Sequence, residues 1–199
     1  MIPVAILDRD GTIIDVVRDE ETGAITVAFH PDQLAFLPGA VEGMRALAAA
    51  GFTLAIATNQ PGPAKGQITA TAVSRTNHAL VRKLAGVGVT IAAIEVCMHH
   101  PDGGPGGDPV LIRTCDCRKP RPGMLRALLG QLDGDPARSW MIGDSSADIE
   151  AGRAAGVNGG LVFATNRCEL CPLRDGPHRI PAAYGPTLVQ VVEAILHRA

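Results

Sequence analysis

Residues 4–12, VAILDRDGT, decide the fold. Four apolar residues, Val4–Leu7, stop abruptly at two carboxylates, Asp8 and Asp10, followed by Gly11 and Thr12. An unbroken apolar run of this length, bounded by turn residues, reads as a strand buried on both faces, the habit of a parallel sheet covered by helices. Two acids so close together at a strand end repel one another, so the chain has to supply something that holds them.

Further along, strand-like apolar runs recur at Phe52–Ala57, Ile91–Val96, Trp140–Ile142 and Gly160–Phe163. Helical spacing fills the intervals, over Val41–Ala50, over Ala70–Leu84, from Pro122, from Ser145 or Ser146, and over Thr187–His197. This alternation predicts an α/β fold: a doubly wound, mostly parallel, Rossmann-like sheet with right-handed crossovers and helices on both faces. A chain of 199 residues is read as a single domain, 1–199. Two segments break the rhythm. Residues 13–38 contain an Asp/Glu/Thr/Gly turn between two strand-like pieces, which predicts a projecting hairpin or flap. Residues 97–117 are too rich in Gly and Pro for regular structure without another constraint. One helix and a hairpin between Asp10 and Thr58 leave no room for a separate cap domain.

Composition excludes several classes. With 46% hydrophobic residues, 3% aromatics and a formal charge of -2, the chain has neither the basic surface nor the stacking platform of a nucleic-acid binder. A phosphorylated small molecule suits it better. No run of about 18 apolar residues and no leader pattern occurs, so no membrane association is expected and a cytoplasmic location is. The expected state is a monomer or weak homo-oligomer.

In a parallel sheet, ligands bind beyond the carboxyl ends of the strands, so the residues that follow each apolar run matter most. There stand Asp8 and Asp10, then Thr58, Asn59 and Gln60, then Asp144 with Asp148, while Arg118 and Lys119 precede the third helix. Several carboxylates in one crevice call for a cation, and an all-oxygen set suits Mg²⁺. With that ion present, Asp8 can stay ionised as a nucleophile and Asp10 can exchange a proton with a leaving group, while Thr58 and Lys119 hold phosphoryl oxygens. Each cluster alone has an ordinary structural reading: turn formers for Asp8 and Asp10, dipole-complementing acids for Asp144 and Asp148, a solvated basic run for Arg118, Lys119 and Arg121. Their order and shared location favour chemistry.

Five cysteines, an odd number, fall in close groups rather than a disulfide framework. Cys97-x-His99 and Cys115-x-Cys117 bracket the Gly/Pro-rich stretch and provide the donors of a closed structural Zn²⁺ site. His100 is an alternative to His99. Cys168 and Cys171 are open to three readings: a redox pair, a weak second metal site with His178, or two thiols in a loop.

D-x-D-G-T after one strand, T-N after a second, Lys before a helix and G-D-x-x-x-D after a fourth resemble the four ordered signatures of the haloacid dehalogenase (HAD) superfamily. The stretches LDRDGTI, TNQPGPAKG, HHP, CDCRKPRPGML and GDSSADIEAG narrow the resemblance to a zinc-loop branch. That branch holds the heptose bisphosphate and histidinol-phosphate phosphatases, and the resemblance covers about residues 4–163. It implies an aspartyl-phosphate on Asp8, Asp10 as acid and then base, and phosphate binding by Thr58 and Lys119. It further implies Mg²⁺ on Asp8, Asp10 and Asp144 supported by Asp148, and Zn²⁺ on Cys97, His99, Cys115 and Cys117. The substrate it implies is D-glycero-D-manno-heptose 1,7-bisphosphate, losing its 7-phosphate, with Asn59, Gln60, Lys65, Arg118 and Arg121 as substrate contacts. Histidinol phosphate is the alternative, its ammonium met by Asp19, Glu20 and Glu21; another sugar or nucleotide phosphate, or a non-catalytic zinc-stabilised binding module, ranks below.

Overall fold

A computed structural model describes residues 1–18, 21, 23–163 and 181–198. In chain order its elements are β1 (Val4–Leu7), β2 (Val17–Arg18), β3 (Ile25–Thr26), α1 (Ala40–Ala49), β4 (Thr53–Asn59), α2 (Ala70–Gly86) and β5 (Ala93–Cys97). There follow α3 (Gly123–Gln131), β6 (Trp140–Gly143), α4 (Ser146–Ala155), β7 (Asn158–Val162), β8 (Ala183–Gly185) and α5 (Leu188–Leu196).

β1 lies at the centre of a six-stranded sheet of order β5-β4-β1-β6-β7-β8, in which every pairing is parallel. Its side chains alternate between two cores, which is why no position in it tolerates polarity. Ala5 and Leu7 pack with Met44 and Leu47 of α1, Leu80 and Leu84 of α2, and Val191, Val192 and Ile195 of α5. Val4 and Ile6 pack with Met124, Leu125 and Leu128 of α3 and Ala151 of α4. The chain winds outward from β1 to β5 and then returns to β6 on the other side of β1. The carboxyl ends of β1 and β6 therefore flank the point where the winding reverses, the place such sheets keep for ligands.

Two features differ from the sequence reading. A sixth strand, β8, extends the sheet; at three residues it is too short to show a period. The flap's ladder is also minimal, with only Val17 opposite Thr26 and Arg18 opposite Ile25. Cys168, Cys171 and His178 lie outside the described residues, as do Asp19 and Glu20 of the flap. Among the described residues no helix is long and apolar enough to cross a membrane.

Candidate active site

Lys119 organises the crevice. Its Nζ reaches Asp8 Oδ1 at 2.6 Å, Asp148 Oδ1 at 2.6 Å and the carbonyl of Ala57 at 2.7 Å, so the ammonium has an acceptor for each proton. The lysine is 4% exposed, and burial works against its charge; Asp148 and Asp8 outweigh that and hold its pKa above the ordinary lysine range. Asn59 fixes the backbone there by donating to the Lys119 carbonyl and accepting from its N–H, both at 3.1 Å.

Asp8 follows β1 and is nearly closed off from solvent. Burial pushes its pKa up to about 7; Lys119 pulls it down, while Asp148, Asp144 and Asp10 push it up again. Asp8, Asp144 and Asp148 each offer an oxygen within 4.8 Å of the others. Three hard oxygen donors with excess negative charge fit a divalent cation such as Mg²⁺. Gly11, at φ +82°, makes the approach possible, because a Cβ at that position would overlap the Asp144 carboxylate. Gly143 does the same for Asp148. Asp148 divides its work: one oxygen accepts from Ser145 N–H (3.1 Å) and Ser145 Oγ (2.6 Å), capping α4, and the other faces Lys119.

The Asp10 carboxylate stands apart from that triplet. It accepts from Arg9 Nε at 2.9 Å, Arg9 Nη2 at 3.1 Å, Gln60 Nε2 at 2.7 Å and the Ala28 N–H at 3.4 Å. Gln60 also donates to Thr58 Oγ at 2.8 Å. Gln60 and Thr58 are each 1% exposed, so the Gln60 amide is turned inward. A hollow of about 180 Å³ opens over these groups, lined by Asp8, Asp10, Val27, Asn59, Lys119 and Ser145 among others. Val27 comes from the flap, which therefore forms one wall.

Sequence reasoning passed over Arg9 and Asn77. Arg9 is fully buried, donates to Asn77 Oδ1 at 2.7 Å and the Ala28 carbonyl at 3.1 Å, and so ties Asp10, α2 and the flap together. The trace it leaves in the sequence is an amide, Asn77, on the apolar face that α2 shares among Val73, Leu80 and Leu84.

The predicted basic contacts stand along the 97–117 loop. Arg118 reaches the His99 carbonyl at 3.4 Å and Arg121 the Cys115 carbonyl at 2.6 Å, so both guanidinium groups brace the 97–117 loop. Lys65, half-buried, lies close enough to His100 to help lower its pKa, after burial and Arg118.

In that loop Cys97, His99, Cys115 and Cys117 converge on one point. Their Sγ atoms stand 3.1 to 3.6 Å apart, with His99 Nδ1 at 3.2 Å from Cys117 Sγ. A tetrahedron with about 2.3 Å Zn–S bonds has edges of about 3.8 Å, so a modest expansion fits the ion. Burial pushes the Cys97 thiol well up, an arrangement that metal binding would relieve.

The HAD-hydrolase-like family model matches residues 116–189. The chain is 34% identical over 166 residues, 83% of its length and 82% of the relative's, to D-glycero-β-D-manno-heptose-1,7-bisphosphate 7-phosphatase of Yersinia pestis. It is 39% identical over 150 residues to the enzyme of that name from Pseudomonas aeruginosa, covering 75% of this chain and 74% of that one. Among solved structures, D,D-heptose 1,7-bisphosphate phosphatase of B. bronchiseptica, complexed with magnesium and phosphate, superposes with a TM-score of 0.78 at 31% identity, covering 99% of both chains. Likeness of this extent in sequence and in fold means common descent, and the chain belongs to the D-glycero-β-D-manno-heptose-1,7-bisphosphate 7-phosphatase family of HAD-like phosphatases.

Proposed function

We propose that this chain removes the 7-phosphate of D-glycero-β-D-manno-heptose 1,7-bisphosphate in a Mg²⁺-dependent reaction through an aspartyl-phosphate. The observation that carries the chemistry is the buried Asp8–Lys119–Asp148 array, with Asp144 beside it, at the reversal point of the sheet. The substrate rests on the printed names of relatives 34% and 39% identical.

Asp8 and Asp144 are the residues that would hold Mg²⁺, with the Asp10 backbone completing the set and Asp148 supporting it through Lys119 and Ser145; when bound, the ion would offset charge between carboxylate and phosphate. Lys119, its three protons held by Asp8, Asp148 and the Ala57 carbonyl, offers its positive charge to the phosphoryl oxygens, and the Thr58 hydroxyl donates to one of them. An Asp8 oxygen attacks phosphorus, the bond to the sugar oxygen breaks with its electron pair, and that oxygen takes a proton from Asp10. Asp10 then removes a proton from water as the water oxygen attacks the same phosphorus, which frees inorganic phosphate and restores Asp8. The 97–117 loop, with Zn²⁺ on Cys97, His99, Cys115 and Cys117, holds Lys119 two residues beyond its last ligand and does no chemistry itself. Every group named comes from one chain, so a monomer suffices. Clustered reduced thiols suit the cytoplasm.

The test is phosphate release with Mg²⁺ across both anomers of the heptose bisphosphate, histidinol phosphate, other sugar phosphates and nucleotides, compared by kcat/KM. A heptose bisphosphate preferred by orders of magnitude is expected; preference for histidinol phosphate would overturn the substrate. Asp8→Asn is expected to abolish turnover while zinc content and fold persist, and retained turnover would sink the nucleophile.

A further inference from the structure

Gln60 is buried, yet it holds both Asp10, through which the chemistry moves protons, and Thr58, which binds the phosphoryl group. Its Nε2 is 2.7 Å from Asp10 Oδ2 and 2.8 Å from Thr58 Oγ. Placed so, the amide nitrogen gives one proton to Asp10 and points the second at Thr58. Thr58 is thereby an acceptor from Gln60, which leaves its own hydroxyl proton free for a phosphoryl oxygen. The Gln60 backbone N–H in turn donates to the Cys97 carbonyl at 2.7 Å, so the carboxyl end of β5 and the zinc-ligand cluster fix where the amide sits.

We infer that Gln60 is a positioning residue that sets two directions at once: the Asp10 carboxyl toward the leaving oxygen, and the Thr58 O–H toward the phosphoryl group. This rests on the phosphatase reading above. Both amide protons of Gln60 are spent on Asp10 and Thr58, so its effect on substrate passes through those two residues. Arg9 grips the same carboxylate from the other side, which leaves Asp10 little freedom of its own.

The experiment compares Gln60→Met, which keeps length and apolar fit without the amide, with wild type on two Mg²⁺-supported substrates. One is an alkyl phosphate, whose leaving oxygen needs a proton; the other is a nitrophenyl phosphate, whose leaving oxygen does not. Loss of a well-aimed general acid is expected to lower kcat/KM about 100-fold for the alkyl ester and only a few-fold for the aryl ester. Inhibition by inorganic phosphate is expected to weaken about fivefold as the Thr58 hydroxyl loses its orientation. Asp10→Asn should show the same leaving-group signature, more strongly. If it does not, the role of Asp10 fails and the phosphatase reading is revised. If Asp10→Asn shows the signature while Gln60→Met loses both substrates equally, or neither, Gln60 is only structural and the inference is overturned. Should Gln60→Met fail to fold, judged by zinc content and thermal midpoint, Gln60→Leu, which also lacks the amide and adds no charge beside Asp10, is read on the same two substrates with the same outcomes.

Discussion

Asp8 sits under opposed influences. Burial raises its pKa to about 7, whereas its proposed role needs the ionised form. A divalent cation held by Asp8 and Asp144 would stabilise the carboxylate and lower that pKa. The sign follows directly: activity falls as pH drops through the Asp8 pKa, so the acid limb of the kcat/KM profile should stand near neutrality at limiting Mg²⁺. It should move to lower pH as Mg²⁺ saturates, and a limb that stays put at all Mg²⁺ concentrations would refute the assignment. Lys119 gives the complementary prediction. Lys119→Met leaves Asp8 and Asp148 buried without their cation and is expected to cost about 3–5 kcal/mol of stability at pH 7, measured by urea unfolding. The deficit should shrink toward pH 5, where the orphaned carboxylates take up protons at less cost. Asp8 and Asp144 could be picked out from strand ends, and Lys119 from its place before α3. That Asp148 caps α4 with one oxygen and meets Lys119 with the other could not, since capping and metal support share one sequence pattern.

Among elements, the loop after β4 and the 97–117 loop lock together through backbone. The Asp108 N–H donates to the Pro63 carbonyl at 3.0 Å, and a Cβ at Gly107 would overlap the Ala64 carbonyl. Gly107→Ala should therefore force the two loops apart. A displacement of about 1 Å at Lys119 or Thr58 can cost up to about 100-fold in kcat/KM, which is the expected scale of loss, with zinc content unchanged. Unaltered kinetics would show that the loops do not position the site. The flap is attached by different means: Arg9 to the Ala28 carbonyl, and Thr76 Oγ to the Phe29 carbonyl at 3.1 Å. Its short β2–β3 ladder contributes little, so Val27 is held at the hollow mainly by these contacts with Arg9 and α2.

For the whole molecule, the two metal sites predict separable losses. Stripping Mg²⁺ should stop turnover reversibly and leave the thermal midpoint only slightly lower. Stripping Zn²⁺ should lower the midpoint and stop turnover in a way that added Mg²⁺ does not restore, because the loop that carries Lys119 loses its constraint. Calorimetry and phosphate release on the same samples check both; rescue of the zinc-free protein by Mg²⁺ would contradict the division.

The sequence by itself determined the parallel sheet, the strand ends where polar groups gather and the Cys/His set of the loop. Those features follow from local rules: unbroken apolar runs mean two buried faces, and ligand spacing is short-range along the chain. Only the tertiary structure decided what each polar group faces. The Gln60 amide turns to Thr58 and Asp10, and that of Asn59, a residue lining the hollow, to the Lys119 backbone. Arg118 and Arg121 brace carbonyls of the zinc loop, and Arg9, between two aspartates, is the buried tie between the site, α2 and the flap. The physical reason is that a buried polar group must find a partner wherever the fold brings one, and that partner can lie far away in the chain, 111 residues for Asp8 and Lys119.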